Sequence, residues 1–476
     1  MTRAGAIARA TDYFDSGAYF DDLARRVAIH TESQEPSQKP ELYRYLREEM
    51  TPTLEPLGFT CEIFDNPVDR GGPFLVARRH ERDDVLSVMS YGHGDVVRGY
   101  DDQWREGLDP WVLTKDGNRW YGRGTADNKG QHSINIAAMA CVLKERGALG
   151  FNPVILIETS EENGSPGLRE FCAEHKELFP ADVFIASDGP RLAPDRPTVF
   201  MGSRGAFNFD LKVESRAGGH HSGNWGGLLA NPGVILAHAI ACLTSATGEI
   251  LVPEWRPPAI PKSVRQAVAK LEIDGGEDAP EIDPGWGEPG LSEGEKVFAW
   301  NSFEVLAFKT GNPEKPVNAI PPRATAHCHI RFVVPCDPAS FVPGLRRHLD
   351  AHGFSMVEIV PSDATMAATR LDPDHPWARW SIASLATTTG KDIAVVPNLG
   401  GSLPNDVFSE VLGLPTIWVP HSYASCSQHA PDEHILESTS LEALQIMAGL
   451  FWDLGAPGTP VRDIANRLDR TMPLEV

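Results

Sequence analysis

Seven side chains in this sequence carry the donors needed for hydrolytic metal chemistry: His93, Asp95, Asp127, Glu161, Glu162, Asp188 and His429. Each follows a short hydrophobic run or lies in a Gly-rich turn, where a parallel sheet delivers side chains to one rim. His93 and Asp95 stand two apart after an apolar run. An imidazole there can face a metal while the carboxylate takes the second ring N–H and fixes its tautomer. Between residues 121 and 130, glycines at 122, 124 and 130 let the chain turn sharply and set Asp127 at a helix start, where one carboxylate can bridge two cations. A phosphate cradle is excluded there, because the Gly-Lys-Ser/Thr ending of a P-loop is missing. Glu161 and Glu162 follow the apolar run 153–157. Two adjacent carboxylates point in different directions, so one can bind a metal while the other takes a proton from water. Asp188 and His429 each follow a further apolar run. The set supplies a bridging carboxylate, two imidazoles and further carboxylates, enough to hold two divalent ions about 3.5 to 4 Å apart. Mixed nitrogen and oxygen ligation suits zinc best, with manganese or cobalt as substitutes.

These groups need a scaffold, and its pattern is legible. Strand-like runs at 74–78, 85–91, 153–157 and 182–186 surround a helical spacing at 131–146, after helical periodicity at 13–31 and 40–57. Strands alternating with helices predict an α/β catalytic domain with a mostly parallel central sheet and flanking helices. Two more runs, 393–397 and 415–420, arrive after a long interval and complete the same sheet. The catalytic domain is therefore expected in two parts, residues 1–203 and 372–476, around an insert at 204–371. Within the insert, Phe207, Phe209, Leu211 and Val213 alternate as a half-buried strand, and Asn231-Pro232 opens a helix running to about residue 246. Strands at 303–308 and 324–334, a helix from Asp337-Pro338 to Gly353 and a strand at 356–360 follow. That βαββαβ order predicts an α+β ferredoxin-like domain. The acidic, Pro- and Gly-rich segment 272–295 reads as a solvated loop.

Composition narrows the function. A chain of 476 residues exceeds one ordinary core, and 41% hydrophobic with 23% charged residues is near the average for a globular protein. The net charge of -22 argues against a nucleic-acid partner, since binding phosphates rests on Lys and Arg. No run approaches the ~18 apolar residues of a membrane span, so no membrane is expected. Arg3, Arg9, Asp12 and Asp15 interrupt the start, leaving no signal-peptide core; a cytoplasmic enzyme is the expectation. Seven cysteines, odd in number and without a Cys-x-x-Cys pair, read as free thiols in a reducing compartment.

With His93-Gly94-Asp95, Gly122-Arg123-Gly124 through Asp127, Glu161-Glu162, Ser187-Asp188 and His429 in this order, the chain resembles the M20 family of metallopeptidases, and within it the carnosinase-like dipeptidases. The likeness covers nearly the whole length. It implies that His93 and Asp188 hold one metal, Glu162 and His429 the other, and that Asp127 bridges them. It also implies that Asp95 orients His93 and that Glu161 is the general base. The insert resembles the family's dimerisation or lid domain, which implies a homodimer. Gly219-His220-His221-Ser222-Gly223 is similar to the family's His-Ser-Gly element, whose His reaches across a dimer to the neighbouring active site. The likeness selects His221 to stabilise the oxyanion and leaves His220 as a surface or packing residue. Asn318 and Arg331 resemble lid elements, with Arg331 suited to a two-pronged contact with a substrate carboxylate. Gly401 and Ser402, in Gly400-Gly401-Ser402-Leu403-Pro404, resemble a carboxylate-binding turn. In this family an Asp at the position of Asp188 accompanies aminopeptidases and dipeptidases, whereas Glu accompanies deacylases and carboxypeptidases. The implied activity is cleavage of a dipeptide amide bond by metal-activated water with a Glu base. An N-acyl amino acid amidohydrolase is the second reading. A non-catalytic binding or scaffold protein is disfavoured, because Asp95, Glu161 and all five ligand candidates are present together.

Overall fold

In the computed structural model, which describes residues 1–273 and 280–460, the apolar runs build one eight-stranded sheet. Its order is Thr60–Phe64, Phe74–Arg78, Asn152–Glu158, Ser87–His93, Val183–Ala186, Thr416–Trp418, Thr198–Phe200 and Ala394–Val396. The central pairings, from Asn152–Glu158 to Thr416–Trp418, are parallel, and antiparallel pairings lie to either side of them. Both faces are covered. Leu75, Ala77, Ile155, Ile157, Val183 and Ile185 pack against residues of helices Arg3–Asp15, Lys129–Arg146 and Glu437–Leu454. Their neighbours in sequence, Phe74, Val76, Val154, Leu156 and Phe184, enter a second core with Phe171, Phe408 and Trp418. Burial on both faces is why these strands read as continuous hydrophobic runs.

The helical run expected at 13–31 begins earlier and is broken. Thr2 caps Arg3–Asp15 by accepting the Gly5 N–H, and Gly17, at φ 81°, separates it from Ala18–Val27. A second sheet is wholly antiparallel, in the order Ser302–Thr310, Arg323–Phe332, Gly205–Glu214 and Glu358–Met366. Phe207, Phe209, Leu211 and Val213 face a core of their own with residues of helices Pro232–Leu243 and Phe341–Ala351. Asn231 caps the first of these by accepting the N–H groups of Gly233 and Val234.

The stretch between Trp255 and Ser302 departs from the expected pattern. Ile260, Val264, Val268 and Leu271 recur at helical spacing, and they pack into the core containing Phe74 and Phe184 rather than onto the second sheet. Phe298, in helix Glu293–Phe298, joins them, and a Ser292–Glu295 capping box starts that helix. The segment 272–295 is therefore not simply a solvated loop: Glu288 and Glu295 are buried, paired with Arg256 and Arg265. Its residues 274–279 lie outside the described residues. All seven cysteines are free. Among the described residues, no helix is long and apolar enough to cross a membrane.

Candidate active site

The parallel strands end at one rim and bring the expected residues together there. His93 is the last residue of its strand and is in register with Glu158, after which the chain turns into the short helix Glu161–Asn163. Asp188 lies two residues past Val183–Ala186, whose register partner Thr416–Trp418 leads into the loop carrying His429. Asp127 approaches from the side, ahead of helix Lys129–Arg146, with a cis peptide to Asn128. Its Oδ1 is 2.9 Å from His93 Nε2, which is 3.6 Å from Asp188 Oδ2. Its Oδ2 is 2.9 Å from His429 Nε2, which is 3.1 Å from Glu162 Oε2. The result is two donor trios, His93 with Asp127 and Asp188, and Asp127 with Glu162 and His429, each with its ligand atoms within 4.8 Å of one another.

The donor set fits two divalent cations. Asp188 Oδ2 is buried with no hydrogen-bond partner, an arrangement that is costly unless a cation completes it. Five carboxylates meet only two imidazoles. Burial raises the carboxyl pKa of Glu162 to about 7 and of Asp188 to about 6, and pushes Glu161 well above the carboxylate range. Burial also works against ionised Asp127, but hydrogen bonds from His429 and His93 outweigh it and hold the group ionised. Hydrogen bonds to Asp127 and Glu162 lift the His429 pKa to about 11. A cation entering the Glu162 side must therefore displace a proton from His429, and apparent affinity should rise by roughly tenfold per pH unit between the Glu162 and His429 values, and more steeply below about pH 7, where the Glu162 carboxyl must ionise as well. Calorimetry in buffers of different ionisation enthalpy checks this; binding without proton release at neutral pH would contradict it.

Asp127, Glu161, Glu162, Asp188 and His429 line a cleft of about 870 Å³, with His93 buried behind them, and its other wall is the second sheet, through Asn208, His329 and Arg331. Arg331 Nη1 donates to Ser402 Oγ at 2.5 Å, and Ser402 Oγ donates to the Arg204 carbonyl at 2.6 Å. Gly400 and Gly401 line the cleft beside them. The three carboxylate-binding candidates Arg331, Gly401 and Ser402 are thus assembled, with Arg204 and His329 added. Burial holds the Arg204 pKa down at about 10 and His329 at about 4, so His329 is neutral at neutral pH. Its Nδ1 bonds Asn208 Oδ1 at 2.5 Å.

The sequence model of Peptidase family M20/M25/M40 matches residues 89–453, a span that holds all seven side chains. The chain belongs to this family. Cysteinylglycine-S-conjugate dipeptidase of Corynebacterium striatum is 26% identical over 365 residues, 75% of this chain and 77% of that protein. Beta-Ala-His dipeptidase of Mus musculus is 25% identical over 406 residues, 80% of each. The M20 family metallo-carboxypeptidase Sso-CP2 from Sulfolobus solfataricus shares the fold with a TM-score of 0.78 at 23% identity, covering 92% of this chain and 99% of its own.

Two further features of this M20 chain were hidden in its sequence. The first is how Asp95 works. The nearest partner of His93 Nδ1 is the Asp95 main-chain carbonyl at 3.0 Å, with the carboxylate Oδ1 at 3.5 Å. The carboxylate's own hydrogen bonds come from the N–H groups of Glu161 and Glu162, at 3.2 and 3.1 Å. One buried side chain thereby ties the His93 loop to the Glu161-Glu162 turn. The second is Glu433. Its carboxylate accepts the N–H groups of Gly124, Ala126 and Asp127 at 2.9 to 3.1 Å and the Arg123 guanidinium at 2.7 Å. The Gly-rich loop is an anion nest whose anion belongs to the chain itself. Glu433→Ala should cost about 3–5 kcal/mol by leaving buried Arg123 without its counter-charge. Chemical denaturation measures this, and a loss below about 1 kcal/mol, the size of a surface pair, would refute it.

His221 and Asn318 stand apart from the cleft. His221 is exposed, pairs with Ala319 in a two-residue ribbon, and its Nδ1 accepts the Gly223 N–H at 3.1 Å. The Asn318 carbonyl accepts from Ser222 on the same ribbon. The two are neighbours of each other and do not line the cleft of their own chain. His220 lies edge-on to Trp225, with ring centroids 6.3 Å apart.

Proposed function

We propose that this M20 peptidase is a dinuclear metallo-dipeptidase, cleaving the amide bond of small peptides that carry free amino and carboxyl ends. The observation that carries the reading is the pair of donor trios sharing Asp127 within one cleft that also contains Arg331 and Ser402. The dipeptidase names of two relatives support it. His93, Asp127 and Asp188 would hold one ion and Asp127, Glu162 and His429 the other, with zinc the best match to the donors. The bound ions would supply a lowered water pKa and Lewis acidity toward the scissile carbonyl. Glu161 lines the cleft beside them; the charge of the two ions would offset the burial that holds its carboxyl protonated, so that it takes a proton from the attacking water and returns it to the leaving amine. Asp95 keeps that carboxylate in place through the turn it holds. Arg331 and Ser402 anchor the substrate's carboxylate, setting the amide bond over the donors.

The proposal extends to assembly. Residues 204–371 act as a lid domain, and a second copy delivers His221 and Asn318 to the oxyanion side of this cleft. The support is that both are exposed and away from their own cleft, and that strand Ser302–Thr310 exposes Val305, Leu306 and Phe308. Seven free cysteines favour a cytoplasmic setting.

The test is hydrolysis of free dipeptides, C-terminally amidated dipeptides and N-acetyl amino acids by the zinc-, manganese- or cobalt-loaded protein, before and after chelation. Free dipeptides should be cleaved, and chelation should abolish turnover. Arg331→Ala should raise KM for free dipeptides by about 10–100-fold, the value of a charge-assisted hydrogen bond, and leave amidated ones nearly unchanged. Turnover of N-acetyl amino acids alone would select the amidohydrolase reading. Metal uptake without any turnover would select the scaffold.

A further inference from the structure

A second cluster of soft donors lies away from the cleft, on the outer layer of the second sheet. Helix Pro232–Leu243 carries Cys242 in its last turn, and helix Phe341–Ala351 carries His348 in its last turn with His352 as its C-cap. The two helices pack against each other. Cys242 Sγ and one nitrogen from each of His348 and His352 lie within 4.8 Å of one another.

Several features bring these groups together. His348 and His352 are separated by one helical turn, which puts them on one face, with ring centroids 4.3 Å apart. His348 Nε2 bonds the Cys242 carbonyl at 2.7 Å, which locks the two helix ends side by side. His352 Nδ1 bonds the His348 carbonyl at 2.8 Å, which fixes its ring. All three residues sit at helix C-termini, where the partial negative charge of the last carbonyls favours a cation. Cys242 and His348 are half-buried and His352 is exposed, so an ion can reach the cluster from solvent.

We propose that Cys242, His348 and His352 form a separate binding site for a thiophilic divalent transition metal such as zinc or cobalt. One thiolate and two imidazoles supply three ligands, and the fourth position stays open to water. Binding breaks the Cys242 S–H bond and releases that proton to solvent as the S–metal bond forms. The ion would join the two helices that cover the second sheet and stiffen that layer.

This site is distinguishable from the paired donors around Asp127, because those include no sulfur. Reduced, full-length protein titrated with cobalt(II) should develop a thiolate-to-cobalt charge-transfer absorption in the near ultraviolet that saturates at about one ion per chain. Cys242→Ser should abolish that band while peptidase activity and the circular dichroism spectrum stay as in the parent. His352→Ala, a change at an exposed position, should weaken cobalt affinity at the same band by at least about tenfold. A titration without the band, a band that survives Cys242→Ser, or an unchanged affinity in His352→Ala overturns the proposal.

Discussion

Glu161→Gln is expected to lower kcat by about 10²–10⁴-fold, the usual contribution of a positioned proton carrier, while the protein still binds its metal ions. Gln keeps the shape of Glu, and the Glu161 N–H that holds the turn to Asp95 is untouched. Only the ability to take and return a proton is lost. The adjacent carboxylate should behave differently. Glu162 belongs to the trio with Asp127 and His429, so Glu162→Gln should lower metal content along with activity. Metal analysis and turnover on the same preparations separate the two. Activity within tenfold of the parent in Glu161→Gln would move the proton-transfer role to another residue.

Asp127→Ala should have the broadest effect of any single change in the cleft. It removes the one side chain common to both trios, and with it the hydrogen bonds to His93 and His429. Both ions should be lost and turnover should fall below detection, whereas Asp188→Ala should weaken one ion only. The Glu433 carboxylate bonds the Asp127 main chain rather than its side chain, so the loop should survive the substitution. Two tightly held ions in Asp127→Ala would refute the shared-carboxylate arrangement.

The strands at the rim were legible because burial on both faces requires long apolar runs, and 74–78 and 153–157 coincide with Phe74–Arg78 and most of Asn152–Glu158. The donors at their ends were legible because Asp, Glu and His are otherwise unfavourable at the edge of such a core. Phe207 through Val213 alternated openly, since only one face of that strand is buried among helices. Other parts left no local signal. Glu433 looks like any acidic loop residue until the Gly124 and Ala126 amides, some three hundred residues away, close around it. Arg204 belongs to no motif, and its position against Gly400 exists only once the sheets meet. The helix Lys262–Val268 is masked in sequence by its Pro- and Gly-rich neighbours, although Val264 and Val268 have the spacing of a buried face. The left-handed backbone at Ser427 and His429, φ 57° and 62°, has no sequence signature either; it costs about 1–3 kcal/mol per residue.

The strand order of the large sheet has a consequence for biosynthesis. Thr416–Trp418 lies between Val183–Ala186 and Thr198–Phe200. A ribosome delivers the chain from its N-terminus, so Val183–Ala186 must wait with one side unpaired until most of the polypeptide has been made. That edge is apolar and open to addition by another nascent chain, which makes it the point where a chaperone would be of most use. His429 and Glu433 emerge with the same late stretch. Until they do, the cleft lacks a donor and the Gly124 loop lacks its anchor, and the growing chain has no means of cutting peptides.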